Sequence, residues 1–312
     1  MPQSVIFDTD PGQDDAVAIL TALASPELDV LGIVTVAGNI PLSLTTRNAL
    51  RLVELAGRLD VPVHPGCDRP LRGPLVTAEH VHGATGLDGP DLPEPNAGPQ
   101  ALHGVDFLIE TVRANPPGTI RLLALGPLTN VALAFSKAPD VAARLQDIVL
   151  MGGAYFEVGN ITPTAEFNLY VDPEAAAIVF ASGARITVLP LDVTHQMRST
   201  KARIAAFSAL GNRSGTAVAA MLSFSEGFDL TKYGWDGAPL HDPCVTAFVL
   251  KPELFDGRSV NVEIETGSRL TRGMSVADFW GVTDRPKNAF WVRSGDADGF
   301  YELLVDRIGR LP

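Results

Sequence analysis

Short apolar runs and helix-period stretches alternate along almost the whole chain. Residues 4–7, 30–36, 120–124, 148–151 and 186–191 are runs of the length and apolarity expected of buried strands. Between them, residues 42–56, 105–114, 129–137 and 173–182 carry helical spacing. The alternation predicts βαβ units and an α/β fold, with a mainly parallel (mixed) central sheet flanked by helices. Residues 260–265 and 289–292 add two further strand candidates before a closing helix near 299–308. The longest irregular stretch, 65–99, is rich in Gly and Pro, and a loop of that length in a compact domain is usually functional or mobile. No low-complexity linker or internal repeat interrupts the pattern, so residues 1–312 are read as a single domain.

Against this regular background the opening of the chain is unusual. Asp8, Asp10, Asp14 and Asp15 fall within eight positions, at the end of an apolar strand. Pro11-Gly12 makes a turn, and Ala16 to Leu20 opens an amphipathic helix. Carboxylates this dense at a strand-to-helix turn repel one another unless a cation sits among them. Hard oxygen donors suit Ca²⁺ or Mg²⁺, whereas zinc would want His or Cys. A helix dipole alone would account for Asp14 and Asp15 but leaves Asp10 unexplained.

Other polar residues recur at equivalent places. Asn39 follows the second strand, Gly126-Pro-Leu-Thr-Asn130 follows residues 120–124, and Gly152, Asn160, Glu166 and Asn168 follow residues 148–151. All would gather outside the carboxyl ends of parallel strands, where open α/β sheets bind ligands. His82-Gly-Ala-Thr-Gly86 lies in the long loop, and His241-Asp242-Pro243-Cys244 precedes a helix, where Asp242 also suits an N-cap.

Composition narrows the partners. Apolar residues make up 46% of the chain, ample for a core, and the formal net charge of -12 argues against nucleic acid or an anionic membrane as partner. The two cysteines, Cys67 and Cys244, form no disulfide framework, and no apolar run has membrane length. A reduced, cytoplasmic setting is expected.

Taken together, these segments resemble the nucleoside hydrolases, which cleave the N-glycosidic bond of ribonucleosides. The resemblance runs in order through Asp8-Thr-Asp-Pro-Gly-Gln-Asp-Asp15, Asn39, His82 to Gly89, Leu125 to Asn130, Met151-Gly-Gly153, Asn160, Glu166-Phe-Asn168 and Ala238 to Cys244. It implies a Rossmann-like nucleoside hydrolase fold and one Ca²⁺ held by Asp10, Asp15, Asp242 and the Leu125 carbonyl. It also implies Asp14, Asn39 and Asn168 on the ribose hydroxyls, with Asn160 and Glu166 on the 5′-hydroxyl. Asp10 would act as general base toward water, and His241, assisted by His82, would protonate the departing base. Carboxylates around the ring would stabilise the oxocarbenium-like sugar. The expected partner is a small-molecule ribonucleoside, and family members are commonly homodimers or homotetramers.

The base-binding segment, 224–235, varies within the family. Tyr233 is similar to a Tyr of pyrimidine-preferring members, but the amide they carry four residues earlier is Asp229 here. Phe228 and Tyr233 are taken as base contacts, with core packing of Phe228, Tyr233 and Trp235 as the equal alternative. Two other functions share the opening motif. A haloacid-dehalogenase-like phosphohydrolase would use Asp8 as nucleophile and Asp10 as acid with Mg²⁺, leaving Asp14, Asp15 and His241 idle. A non-catalytic nucleoside-binding protein would keep the ribose contacts and lose the acid or the base.

Overall fold

Strand positions alternate between the two faces of a central sheet, and this decides where the core lies. In β1 (Gln3–Thr9), Val5 and Phe7 face one apolar cluster while Ile6 faces the other. The same division holds in β4 (Ile120–Ala124), between Leu123 and Leu122, and in β5 (Asp147–Met151), between Val149 and Leu150. Both faces are therefore covered by helices, as parallel sheets require. The computed structural model describes residues 2–312, except the side chains of Glu226 and of 228–233.

The remaining strands of this sheet are β2 (Leu28–Thr35), β3 (Val63–Pro65), β6 (Ile186–Leu189), β9 (Phe255–Ile264), β10 (Ser275–Asp278) and β11 (Ala289–Gly295). The nine strands run β10-β9-β11-β6-β5-β4-β1-β2-β3. β1 to β6 and β11 are parallel, and β9 is antiparallel to both its neighbours. β7 (Arg198–Thr200) and β8 (Gly237–Pro239) form a separate antiparallel pair. The expected mixed, mainly parallel sheet is present. The chain leaves β1 toward β2 on one side and returns to β4 on the other, so the gap between β1 and β4 is a topological switch point.

Several boundaries differ from the sequence-based expectation. The strand expected over 186–191 stops at Leu189, because Pro190 has no N–H for the ladder and a short helix, Leu191–Thr194, begins there. β9 begins at Phe255, five residues before the predicted start, in a stretch whose exposed Asp256 and polar neighbours hide the strand period. The helix after the first turn, Gln13–Leu23, is not amphipathic in place. Asp15 to Leu23 are all buried, because the helices Arg213–Tyr233 and Pro243–Leu250 cover its outer side. Thr246 donates its hydroxyl to the Ala18 carbonyl at 3.1 Å there. Among the described residues no helix is long and apolar enough to cross a membrane.

Candidate active site

Nine of the sequence-predicted site residues line a single pocket at the carboxyl ends of β1, β2, β4 and β5. Asp14, Asn39, His82, Leu125, Asn160, Glu166, Asn168, His241 and Asp242 line it. Phe228 and Tyr233, the expected base contacts, lie outside the described side chains. Trp235 packs edge-on against His195, with ring centroids 5.0 Å apart, which is the packing alternative for that residue.

The acidic group is built by the turn after β1. The Asp15 carboxylate accepts from the Gly12 N–H at 3.0 Å, the one half of a capping box that a glycine at the head of Gln13–Leu23 allows, and also from the Asn39 amide at 3.2 Å. Asp242 occupies the N-cap position of Pro243–Leu250, but its side chain makes no capping hydrogen bond. The capping reading of Asp242 is thus overturned, and its carboxylate is left for the pocket. One carboxylate oxygen each from Asp14, Asp15 and Asp242 lie within 4.8 Å of one another, an arrangement able to hold a metal ion.

This tight group differs from the expected set of Asp10, Asp15 and Asp242. Asp10 is fully buried beside it, with Oδ2 accepting from the Asn39 backbone N–H at 2.7 Å. That bond turns the carboxylate toward the loops after β2 and β4, where a Cβ on Gly38 or Gly126 would come within 2.1 or 2.3 Å of its oxygens. Asp10 Oδ1 and Asp14 Oδ1 are buried and have no hydrogen-bond partner among the described residues.

The electrostatics agree with the geometry. Burial, then the Asp15 charge, holds Asp10 well above the usual carboxylate range. Burial, then Asp14 and Asp15, does the same to Asp242, and burial also raises Asp14 and Asp15. A divalent cation among them would offset both causes at once, since it replaces lost hydration and screens like charges.

Amides and carbonyls form the rest of the wall. Asn168 donates to the Leu125 carbonyl at 2.6 Å and to the Met151 carbonyl at 3.2 Å. Asn160 Oδ1 accepts from the Phe167 N–H at 2.9 Å. Glu166 caps the helix Phe167–Val171, accepting from the backbone N–H groups of Asn168, Leu169 and Gly153 at 2.8, 3.2 and 3.0 Å. Burial pushes it up to about 7. A carboxylate offers about four lone-pair sites, so three such bonds still leave room for one hydroxyl.

Two histidines, His241 and His82, line the pocket. His241 Nδ1 shares a 2.8 Å hydrogen bond with the Thr194 hydroxyl, and its ring is 5.9 Å from that of His195. His82 is reached by Gln13, whose Oε1 is 2.7 Å from His82 Nδ1. Burial pushes His82 down to about 4, so its ring is neutral near pH 7. Thr194 and Gln13 were not singled out from the sequence. Gln13 lies inside the opening motif, but a partner 69 residues away is invisible in it.

Asp8 does not belong to the pocket wall. Its Oδ1 accepts from Asn130 at 2.7 Å behind the turn, and burial pushes it up to about 7. A phosphohydrolase nucleophile would need an open, ionised carboxylate at the pocket, so the alternative built on Asp8 is set aside.

A switch-point pocket walled by buried carboxylates and amides marks an α/β enzyme for a small, hydroxyl-rich ligand. The chain belongs to the inosine-uridine preferring nucleoside hydrolase family, which it matches over residues 5–302. It is accordingly a ribonucleoside hydrolase, acting on N-glycosyl bonds. It is 47% identical over 309 residues to the pyrimidine-specific ribonucleoside hydrolase RihA of Salmonella arizonae, covering 99% of both chains. A plant nucleoside hydrolase, the PpNRh1 enzyme, superposes with a TM-score of 0.93 at 35% identity, over 99% of both chains. The purine-preferring ribonucleoside hydrolase of Gardnerella vaginalis superposes with a TM-score of 0.92 at 31% identity, over 98% of both.

Proposed function

We propose that this hydrolase splits ribonucleosides into ribose and free base with the help of one Ca²⁺, water being activated by Asp10 and the leaving base protonated by His241. The observation that carries the metal part is that the buried oxygens Asp10 Oδ1 and Asp14 Oδ1 have no hydrogen-bond partner among the described residues, Asp14 itself belonging to the close group with Asp15 and Asp242. An all-oxygen donor set fits a hard divalent cation. Asp10, Asp15, Asp242 and the Leu125 carbonyl would hold it. When bound, the ion would lower the pKa of water and anchor ribose hydroxyls.

The chain's own residues account for the remaining steps. Asp10 takes a proton from water at Oδ1, while the Asn39 N–H on Oδ2 keeps the carboxylate aimed. Asp14, Asn39 and Asn168 orient the 2′ and 3′ hydroxyls, and Asn160 and Glu166 take the 5′-hydroxyl. Fixing a sugar at several points is what makes attack at C1′ effectively unimolecular. The buried carboxylates favour the positive charge that grows on the sugar as the base leaves. His241, steadied through Nδ1 by Thr194, presents its other nitrogen to the base. A homodimer or homotetramer working in the cytoplasm completes this reading and is supported by the family likeness alone.

A panel of uridine, cytidine, inosine and adenosine, assayed for free ribose with and without a chelator, tests the proposal. Pyrimidine nucleosides come first in the panel because the RihA relative is named for them. Ribose release that persists after ions are stripped, with no metal found by elemental analysis, would refute the metal-assisted mechanism.

A further inference from the structure

We propose that Gln13 is a positioning residue that holds His82 as its Nδ1-protonated tautomer, so that His82 meets the nucleoside as a hydrogen-bond acceptor and leaves proton delivery to His241. It rests on the reading of the pocket as a nucleoside site, but the tautomer can be read without any catalysis.

The assignment follows from what surrounds the Gln13 amide. Gln13 is almost fully buried, and its Nε2 lies 2.9 Å from the His82 carbonyl and 3.3 Å from the Asp88 carbonyl. Carbonyls only accept, so two of them fix this atom as the amide nitrogen. Oε1 is then the atom 2.7 Å from His82 Nδ1, and a carbonyl oxygen also only accepts. The proton between them must sit on His82 Nδ1. In a neutral imidazole one nitrogen carries hydrogen and the other is a bare acceptor, so Nε2 is bare.

The ring's orientation is fixed as well. A Cβ on Gly12 would come within 2.5 Å of His82 Nδ1, so this edge packs against the turn that follows β1. His82 still lines the pocket, which leaves Nε2 as the nitrogen a ligand can reach. A second amide braces the same loop: Asn48 Nδ2 donates to the carbonyls of Pro11 and Thr85, at 3.0 and 2.8 Å. Gln13 and Asn48 thus tie the long loop to the strand-to-helix turn, and Gln13 alone also sets the chemistry of a ring in the pocket.

The test uses the full-length, metal-loaded enzyme with ¹⁵N-labelled histidine. Two-bond ¹H–¹⁵N correlation spectra distinguish the two neutral tautomers, and loss of one pattern in His82→Gln assigns His82 among the six histidines. Wild type is expected to show a neutral, Nδ1-protonated His82. Gln13→Leu, and Gln13→Met should the first variant fold poorly, are expected to shift the ring toward the Nε2-protonated form. With uridine, these variants should raise KM about 2–10-fold, the value of one lost hydrogen bond, and change kcat far less. A merely structural role would not move the tautomer. An Nε2-protonated His82 in wild type, or an unchanged ring pattern in both variants, would overturn the assignment. So would a fall in kcat on nucleosides that spares a ribosyl p-nitrophenolate, because it would make His82 a proton donor. If wild type cleaves no ribonucleoside, the functional reading fails while the ring pattern still decides the role of Gln13.

Discussion

Stripping divalent ions is expected to lower the melting temperature, and replacing one acid of the cluster is expected to abolish that effect. Ligand that binds only the folded state stabilises by about 2.7 kcal/mol when present at 100 times its dissociation constant. Unfolding entropy near 2.1 cal/mol/K per residue gives about 0.65 kcal/mol/K for the 312 residues of this chain. Saturating Ca²⁺ should therefore raise Tm by about 4 °C over the chelated protein. Asp242→Asn is the informative partner, because its side chain makes no capping bond that the substitution would break. In the chelated protein that carboxylate is disfavoured by burial and by Asp14, Asp15 and Asp10. Each pKa unit relieved is worth about 1.4 kcal/mol, or about 2 °C here. Chelated Asp242→Asn should thus melt above chelated wild type at pH 8 yet gain little or nothing from Ca²⁺. Calorimetry on four samples, two proteins with and without the ion, decides it. A wild-type Tm indifferent to Ca²⁺ and Mg²⁺, or an Asp242→Asn protein that gains as much as wild type, would refute the metal site.

The other expectations are simpler. Asp10→Asn should cripple cleavage of every nucleoside alike, general-base catalysis being worth about 10²–10⁴-fold, whereas His241→Ala should slow natural nucleosides but spare a ribosyl p-nitrophenolate; equal losses in kcat on both substrates would remove His241 as the acid. Gly12→Ala places a Cβ 2.5 Å from His82 Nδ1, so stability should fall by about 1–3 kcal/mol in a urea melt, with loss of nucleoside affinity. Glu166 sits at about 7, above its ordinary value, so the folded protein keeps a proton that the unfolded chain gives up. The stability tied to that proton is present at acid pH and is lost as pH rises from the usual Glu range through about 7. The drop in Tm between pH 5 and pH 8 should therefore be smaller in Glu166→Gln than in wild type.

Much of the fold and most of the site could be read from local pattern. The strands β4 and β5 and the helices at 104–114 and 129–137 fall within a residue or so of their expected bounds, because each is a continuous apolar run or stripe. Asp10, Asn39 and Asn168 are legible because each follows a strand, and parallel connections put every such loop on one edge of the sheet. What escaped is long-range by nature. β3 is three residues long and exists only through its pairing with β2, and β7 and β8 meet across about forty residues of chain. The helix Gln13–Leu23 shows an amphipathic sequence but is covered on both sides once later helices pack on it. The family resemblance grouped Asp10 with Asp15 and Asp242 and set Asp14 on the sugar, yet the tertiary structure turns Asp10 onto the Asn39 N–H and brings Asp14 close to Asp15 and Asp242. Likewise, His82 and His241 were named as imidazoles that can carry a proton. Which nitrogen of His82 carries it was decided by a glutamine 69 residues away and two carbonyls, because a tautomer depends on the neighbours of the ring and not on its place in the chain.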